Sequence, residues 1–400
     1  MLKTKNTFFV IVITALLTCL ITNTARDAMY SQAHEGLDRK IQTVTDIIDN
    51  YSIYDIDEKL TADAAAHAIT YSVSDPYTNY YSKEEYESLT KELQTSYMGV
   101  GIIMSSDTVA NKLIVVAPIE GQAAEKSGIL SGDYITKVDG VVYTGEQLNE
   151  AVAAIQGRNL KNVEGTSVTL GVERSGNYFD ITIPRGIIVR ETVSSKMLDD
   201  GIGYIRISQF NSKNPQIADS KDSYDEFVAE FEKIKGIDLT SLIIDLRNNP
   251  GGDLNVVTKI ADYILPSGVI TYTEDKNGKR QYYESTEELS LNIPIVILVN
   301  GGSASASEVL SGALKDYNKA ELVGEKTFGK GVVQTVIPLY DGSGLTVTSA
   351  KYYTPSGECI HEKGIEPNVL VKLETEKSIS QLSYEEDTQL QKAVEILKSK

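Results

Sequence analysis

The sequence predicts a multidomain α/β (α+β) protein, and three observations support this fold class. The chain has 400 residues, enough for about two or three domains. Residues 185–375 alternate between short apolar runs typical of strands and amphipathic runs typical of helices, which indicates an α/β core. Residues 97–184 hold short β-branched runs separated by glycines, the pattern of a small β-barrel. Residues 31–96 have helical periodicity, and residues 376–400 include a further amphipathic helix.

The composition excludes several classes of function. Lys and Arg number 38 against 56 Asp and Glu, and the net charge of −18 argues against a protein that binds nucleic acid through its phosphates. Two cysteines are too few for a disulfide framework or a cysteine-built zinc site. Three histidines leave little for a histidine-rich metal centre or a Ser-His-Asp triad. We therefore predict neither a metal nor another cofactor.

The first 30 residues predict that the folded part of the chain lies outside the cytoplasm. Lys3 and Lys5 precede an apolar run from Phe8 to Thr22, which is somewhat shorter than the roughly 20 residues that span a bilayer. A retained single-pass membrane anchor and a cleaved secretory signal both fit this pattern, although the residues before Arg26 match a cleavage site poorly. In either case the basic residues stay inside. We expect a cell-membrane protein, or a secreted one if the signal is cleaved.

The region 31–96 contains signals for individual helices. Apolar residues fall on one helical face at five positions, which are Leu37, Ile41, Val44, Ile47 and Ile48. A second helix is predicted to begin near Asp57, and Asp75-Pro76 interrupts the pattern with turn chemistry. A third helix is predicted to begin after Ser82, which can form a capping box with Glu85.

The two following regions predict their own elements. In residues 97–184 a single helix is indicated around 146–155, among several short strands. In residues 185–375 strands are predicted at about 201–210, 241–247 and 293–300, and a helix follows each of them. Further β-rich runs then lead to the C-terminal tail.

Two of the predicted strand-to-helix turns are rich in small residues, Asp245–Gly252 and Asn300–Glu308. Small residues after a buried strand let the backbone approach a ligand closely, and the helix that follows directs free N–H groups at that ligand. Such a place suits an oxyanion hole. Ser305 lies in the second turn, either as a reactive hydroxyl or as a helix N-cap that forms a capping box with Glu308.

A glycine-rich segment around Lys330 has the outline of a phosphate-binding loop but lacks its chemistry. Gly331 stands where such a loop has Ser or Thr, and a β pattern follows where a helix is required. A buried lysine whose pKa falls from about 10.4 toward about 7 to 8 can act as a general base. The alternative is a surface lysine in a β-turn. Gln334 lies on the same face of an extended strand and could orient the amine.

Four segments together resemble the C-terminal processing peptidases, the tail-specific serine proteases. They are DPYTNYYSKEEYESL, DLRNNPGG, GGSASASEVLSGALKDYNKAELVGEKTFGKGVVQ and YYTPSGECIHEKGIEP. Residues 97–184 resemble the PDZ domain of that family, most clearly in the stretch AAEKSGILSGDYITKVDGV. The resemblance covers roughly residues 35–395 in the family's order. It implies a crotonase-like protease core with an inserted PDZ β-barrel domain and an N-terminal helical region.

The resemblance also implies roles for individual residues. Ser305 would be the nucleophile and Lys330 the general base, with Gln334 as the residue that orients the amine. The oxyanion donors would be the backbone N–H groups of Gly251 and Ala306. These expectations agree with the scarcity of histidine, because a Ser-Lys pair activates a serine without one.

The glycine-rich turn at the start of the PDZ domain is the expected site for a substrate's C-terminal carboxylate. Its residues are Gly99, Val100, Gly101 and Ile102. Consecutive backbone N–H groups can hold a carboxylate, and the strand edge can pair with the peptide. An apolar last residue would be preferred, because Ile102 and the helix near Leu148 and Val152 could line a pocket.

We therefore expect an extracytoplasmic serine endopeptidase that cleaves proteins recognised through their C-termini, by way of an acyl-enzyme. Its expected partners are protein or peptide substrates with apolar free C-termini, the membrane through the N-terminal segment, and a second copy in a homodimer, but no nucleic acid. One alternative is a catalytically silent PDZ scaffold that binds protein C-termini. Another is a crotonase-like enzyme acting on acyl thioesters, which would have no use for a PDZ domain.

Overall fold

A computed structural model of the chain describes residues 36–400 except 120, 158–162, 164, 237, 287–289 and 376. The predicted signal or membrane anchor, residues 1–30, lies outside the described residues. Over the part that is described, no helix combines the length and the apolar character that a bilayer crossing requires. The mixed α/β class and the helical N-terminal region are confirmed.

Residue contacts divide the chain into two units between Ser72 and Val73. In the first unit, residues 36–51 form α1 and Glu58–Ser72 forms α2. Asp57 directly precedes α2, near the predicted start, and its Oδ1 accepts the Leu60 N–H at 2.9 Å. The predicted apolar stripe of α1 is exposed to solvent by 39% to 54% at Leu37, Ile41, Val44, Ile47 and Ile48.

The second unit contains the other described elements. Its helices are α3 Lys83–Glu92, α4 Ala123–Lys126, α5 Leu148–Gln156, α6 Ser223–Lys235, α7 Leu254–Ile264, α8 Ala306–Asp316 and α9 Thr388–Lys398. Its strands are β1 Asn79–Tyr81, β2 Ser96–Gly99, β3 Ile102–Asp107, β4 Lys112–Pro118, β5 Tyr134–Val138, β6 Val141–Val142, β7 Ser167–Arg174, β8 Asn177–Pro184, β9 Gly186–Val189, β10 Val193–Met197, β11 Ile202–Ile207, β12 Ser241–Asp245, β13 Gly268–Asp275, β14 Arg280–Ser285, β15 Ile295–Val299, β16 Ala320–Gly324, β17 Val332–Pro338, β18 Gly344–Tyr353 and β19 Val369–Leu370. The capping box predicted before α3 is present, since the Ser82 N–H donates to Glu85 Oε2 at 2.8 Å.

A six-stranded sheet forms the centre of the second unit, with the order β10-β11-β12-β15-β16-β19. All neighbours run parallel except β10 and β11. Every residue of β12 and β15 is buried, because α6, α7 and α8 cover one face of the sheet and α9 covers the other. Since β12 and β15 are parallel neighbours, the small-residue turns that follow them lie at the same edge of the sheet.

A second sheet has the order β1-β18-β13-β14, with β17 also paired to β18. The hairpin of β13 and β14 has no counterpart in the sequence prediction. Strand β1 pairs with the first residues of β18, where Tyr80 lies opposite Leu345. The predicted helical region 31–96 therefore divides in the structure, and residues 79–81, between α2 and α3, contribute a strand to this sheet.

A third sheet forms the predicted β-barrel domain, with the order β3-β4-β5-β7-β8 and β6 paired to β5. It surrounds a hydrophobic core of its own, to which Leu113, Ile135 and Leu170 contribute. The helix predicted at 146–155 is α5, and it ends at Gly157 with φ 73°, a left-handed conformation that favours glycine. Among the described strands β3 pairs only with β4, so its other edge is open.

Candidate active site

The turns after β12 and β15 are joined by reciprocal hydrogen bonds. The Asn300 side-chain amide donates to Asn248 Oδ1 at 2.8 Å, and the Asn248 N–H donates to Asn300 Oδ1 at 2.9 Å. The Ser307 hydroxyl and the Ala304 N–H both donate to the carbonyl oxygen of Asn249, at 2.9 and 3.0 Å. The two turns therefore form one framework around the start of α8.

Ser305 lies immediately before α8 with φ 54° and ψ −113° and is only 7% exposed. A positive φ at a residue other than glycine costs on the order of 1–3 kcal/mol and is concentrated at functional sites. Ser305 is the N-cap residue of α8, and its N–H donates to Glu308 Oε2 at 2.9 Å. The capping alternative is therefore compatible with a functional hydroxyl, because this bond uses the serine backbone.

Glu308 connects the Ser305 turn to the loop that carries Lys330. Its Oε1 accepts the Thr327 hydroxyl at 2.6 Å and the Gly329 N–H at 2.7 Å. Its Oε2 accepts the N–H groups of Ser305 and Lys330, each at 2.9 Å. Burial raises the pKa of Glu308, and these four donors act in the opposite direction by stabilising the carboxylate. Sequence reasoning treated Glu308 only as a capping partner and missed this connection.

Lys330 is half-buried and lies just before β17, so it differs from the fully exposed lysine of the alternative. Burial lowers the pKa of its amine from the usual value near 10.5, and the Asp75 carboxylate opposes this. The Nζ atom lies 4.6 Å from the centroid of the Tyr77 ring. In the part of the chain that the structure describes, no hydrogen bond joins Nζ to the Ser305 hydroxyl. The loop requires glycine at 331, where a Cβ would lie 2.3 Å from the His361 backbone nitrogen.

A cavity of about 720 Å³ brings the predicted residues together. Its lining includes Ser305, Lys330, Gln334 and Gly251. The Gln334 side-chain amide donates to the Val332 carbonyl oxygen at 3.5 Å rather than to the lysine, and the pairing register of β17 shifts just before it.

Tyr352 also lines the cavity and was not predicted. It is 4% exposed, and burial raises its pKa to about 12, while a hydrogen bond with the Ser305 side chain acts in the opposite direction. The cavity thus holds a serine hydroxyl, a lysine amine and a phenol in a partly apolar setting.

The two predicted oxyanion donors, the N–H groups of Gly251 and Ala306, lie side by side, but one of them already donates a hydrogen bond within the protein. Gly251 has φ 106°, and a Cβ there would lie 2.8 Å from the Ser305 Cβ and 2.9 Å from the Ala306 nitrogen, so only glycine fits. Its N–H donates to Asn249 Oδ1 at 2.8 Å, so in this conformation it is already bonded. The Ala306 N–H, at the first position of α8, has no acceptor among the described residues.

The predicted carboxylate-binding turn lies in the β-barrel domain, and none of its four residues lines the Ser305 cavity. Gly99 ends β2, Val100 is buried in the domain core and Ile102 begins the open-edged strand β3. Gly101 has φ 82°, and a Cβ there would lie 2.4 Å from the Gln122 Cβ. Leu148 packs against the same core from α5.

A buried charge network supports the turn after β12, and sequence reasoning missed it. The Arg247 side chain is fully buried and donates from Nη2 to Asp245 at 2.6 Å and to Asp387 at 2.8 Å. Burial alone would raise the pKa of Asp245, but Arg247, Arg206 and the Tyr204 hydroxyl together outweigh this, and the pKa is lowered. Since Asp387 is the N-cap of α9, the C-terminal helix is fastened to the turn that contains Gly251.

Comparison with known proteins agrees with this architecture. A family model described as Peptidase family S41 matches residues 201–371, and a PDZ domain model matches residues 114–174. A solved structure of a protein assigned to the S41 proteases, from Bacteroides fragilis NCTC 9343, aligns with a TM-score of 0.50 at 16% identity, covering 82% of this chain and 87% of that one. At that identity the match shows the fold alone.

Two relatives share considerably more of the sequence. The chain is 35% identical over 376 residues to the carboxy-terminal processing protease CtpA of Bacillus subtilis (strain 168), covering 92% of this chain and 77% of the relative. It is also 35% identical over 332 residues to the carboxyl-terminal-processing protease of Synechocystis sp. (strain ATCC 27184 / PCC 6803 / Kazusa), covering 82% of this chain and 74% of the relative. Similarity of this extent, together with the S41 and PDZ matches, shows that the chain belongs to the carboxy-terminal processing proteases of peptidase family S41.

Proposed function

We propose that this protein is an extracytoplasmic serine endopeptidase that cleaves protein substrates recognised through their C-termini. The observation that carries the proposal is the Glu308 carboxylate, which bonds the backbones of both Ser305 and Lys330 at one cavity. A strained serine at a helix start and a half-buried lysine with a lowered pKa are the two parts that a Ser-Lys mechanism needs.

In the proposed mechanism the Ser305 oxygen attacks the scissile carbonyl carbon while the neutral Lys330 amine takes the hydroxyl proton. The lysine then gives that proton to the leaving amine as the peptide bond breaks, which leaves an acyl-enzyme. A water molecule, deprotonated by the same amine, attacks the ester, and the lysine returns that proton to the Ser305 oxygen as the ester bond breaks and the second product leaves. Gln334 would orient the amine, after its side chain leaves the Val332 carbonyl oxygen.

The oxyanion that develops on the substrate needs hydrogen-bond donors that already point at it. The Ala306 N–H at the start of α8, which has no acceptor within the described part of the chain, is the first of these. The Gly251 N–H becomes the second donor when its hydrogen bond to Asn249 Oδ1 breaks and it donates to the substrate oxygen instead. The Asn249 contact is then part of a resting conformation, and substrate binding completes the oxyanion hole.

A digestion experiment separates this proposal from the catalytically silent PDZ scaffold. The purified full chain is incubated with a peptide that ends in an apolar residue with a free carboxylate. Cleavage within the peptide is expected. Binding without any cleavage, under conditions where the chain is folded, would favour the scaffold.

Amidating the C-terminus of that peptide is expected to reduce both its binding and its cleavage. The turn from Gly99 to Ile102 would lose a charged acceptor, and hydrogen bonds to charged groups contribute about 1.5–3 kcal/mol, or roughly 10- to 100-fold in affinity. Fluorescence anisotropy and cleavage rates measure the two effects. A Gly101→Ala chain serves as the control and should discriminate less between acid and amide, because its Cβ would collide with Gln122. Equal binding and equal cleavage of both peptides by the wild type would refute recognition of chain ends.

Replacing Glu308 with glutamine is expected to lower kcat by at least about tenfold with a smaller change in KM. In either orientation the amide NH₂ would face at least one backbone N–H, which leaves a buried donor unpaired at about 1–3 kcal/mol in stability. Steady-state kinetics and thermal unfolding measure the two effects. The matched control is Glu366→Gln, which breaks the exposed ion pair with Lys326 and should leave both quantities unchanged. A Glu308→Gln chain with wild-type kcat would show that the connection is not needed for catalysis.

We also place the folded part outside the cytoplasm and propose that the chain forms a homodimer. Lys3, Lys5 and the apolar run after them support the location, which proteolysis of intact cells would test. The exposed apolar stripe of α1 supports self-association, because a stripe of that kind is usually covered. Sedimentation of the full chain in detergent as a monomer at micromolar concentration would contradict the homodimer.

A further inference from the structure

The turn before β1 brings an aromatic ring to the proposed general base. The segment beginning at Asp75 contributes to the family resemblance, but neither the sequence nor the proposed mechanism gives it a role. In the structure the Tyr77 ring centroid lies 4.6 Å from the Lys330 Nζ, within cation–π distance. Pro76 and Tyr77 line the same cavity as Ser305.

This turn is fixed to the sheet rather than free to move as an open loop. The Thr78 hydroxyl donates to Asp75 Oδ2 at 2.6 Å, and the Tyr77 N–H donates to Asp75 Oδ1 at 3.2 Å. From β18, the Thr346 hydroxyl donates to the Tyr77 carbonyl oxygen at 2.9 Å and the Thr348 N–H donates to the Thr78 hydroxyl at 3.1 Å. Because β17, which begins just after the lysine, pairs with β18, the ring and the amine are held by adjacent strands.

The groups around the Lys330 amine have opposite effects on its pKa. Burial lowers the pKa of Lys330, whereas the Asp75 carboxylate and the face of the Tyr77 ring both favour the ammonium form. Burial would raise the pKa of Asp75, but its hydrogen bonds lower it, so it faces the lysine as a carboxylate. The other titratable groups around the amine are Glu308, which binds the lysine backbone, and four side chains that line the cavity, which are Tyr81, Asp253, Tyr283 and Tyr352.

We propose that Tyr77 is a positioning residue that holds the Lys330 ammonium by a cation–π contact and so sets the pH at which the base becomes available. The proposal rests on the proposed function, in which Lys330 is the base. Only the neutral amine accepts the Ser305 proton, and the ring stabilises only the protonated form. The ring therefore keeps the resting lysine in the cavity and moves the onset of activity to higher pH.

The test titrates Lys330 directly and does not depend on activity. Full chains that carry Ser305→Ala and ¹³C-labelled lysine are titrated by NMR, and the Lys330 resonance is identified by its loss in Lys330→Arg. Tyr77→Leu is expected to lower the lysine pKa by about 0.4 to 1.5 units, the equivalent of a cation–π contact. Tyr77→Phe keeps a ring face and should leave the value unchanged, and Tyr77→Trp should raise it. In chains with Ser305 restored, the pH at half-maximal rate should move in the same directions.

The possible failures are distinguishable. A lysine pKa that is the same in the Leu, Phe and Trp variants overturns the role of Tyr77 and leaves the proposed function intact. A pKa that moves while the pH–rate profile stays fixed overturns Lys330 as the base, and with it the claim that Tyr77 sets the pH of activity. If Tyr77→Leu does not fold, the comparison of Phe with Trp decides, since both keep an aromatic ring.

Discussion

Replacing Ser305 with alanine is expected to abolish peptide cleavage while leaving the fold and peptide binding intact. Removing the nucleophile of a covalent mechanism costs on the order of 10⁴-fold or more in kcat. The cost in stability should not exceed about 1 kcal/mol, the value of a lost capping oxygen, because the bond to Glu308 comes from the Ser305 backbone and is kept. Cleavage assays, thermal unfolding and peptide binding on the same preparation measure the three quantities.

A glycine variant separates the chemical role of Ser305 from its backbone role. Glycine adopts φ 54° and ψ −113° without the strain that alanine retains, so Ser305→Gly should be more stable than Ser305→Ala by about 1 kcal/mol. Both variants should be inactive. Cleavage by either variant at the wild-type rate would remove Ser305 from the mechanism. Unfolding of the alanine variant would instead identify the hydroxyl as a structural cap.

Replacing Lys330 with arginine is expected to be as damaging as replacing it with methionine, at about 10³-fold in kcat. Arginine keeps the positive charge and can stack on Tyr77, but it stays protonated and cannot accept the Ser305 proton. Methionine keeps the length of the side chain without a charge. Single-turnover cleavage by the two variants measures the effect. Substantial activity in the arginine variant would leave Lys330 only an electrostatic role.

The wild-type rate should rise with pH, because only the neutral amine is a base. Burial lowers the pKa of Lys330 below its usual value near 10.5, so the rise should be centred below that pH. Burial raises the pKa of Glu308, so acid should also weaken the connection between the serine and the lysine. Both effects reduce activity on the acid side. The pH dependence of kcat/KM checks the direction, and a rate that falls as pH rises through neutrality would contradict it.

Local patterns predicted the elements that carry the site because those elements depend on local physics. The strands β12 and β15 are short apolar runs that end in small residues, and such runs are typical of buried parallel strands. The helix after Ser305 was predicted from its capping pattern. Parallel neighbours then place the turns that follow them at one edge, which is where the structure has them.

Other features could not be predicted because the order of residues along the chain fits more than one structure. The β13–β14 hairpin is half-exposed, and its polar and aromatic mixture does not separate strand from loop. The pattern around Glu308 could have indicated a special role, because Glu308 is an acidic residue within a helical stretch that is buried from Ala306 to Leu314. A buried carboxylate must find donors, but the sequence does not say which ones.

The sequence by itself determined the order of the domains, the residues with reactive side chains and the two turns that carry small residues. Each of these depends on a few neighbouring positions. Three contacts were decided only by the tertiary structure. The Tyr77 ring lies over the Lys330 amine, the Gly251 N–H donates to the Asn249 side chain, and Arg247 donates to Asp387 at the start of the C-terminal helix. The contacts of Tyr77 and Asp387 join positions far apart in the chain, so they follow from strand register and side-chain packing, which form only when the whole core is assembled. The contact of Asn249 with Gly251 lies within one turn, and the Ser307 hydroxyl and the Ala304 N–H hold that turn from the neighbouring strand's end.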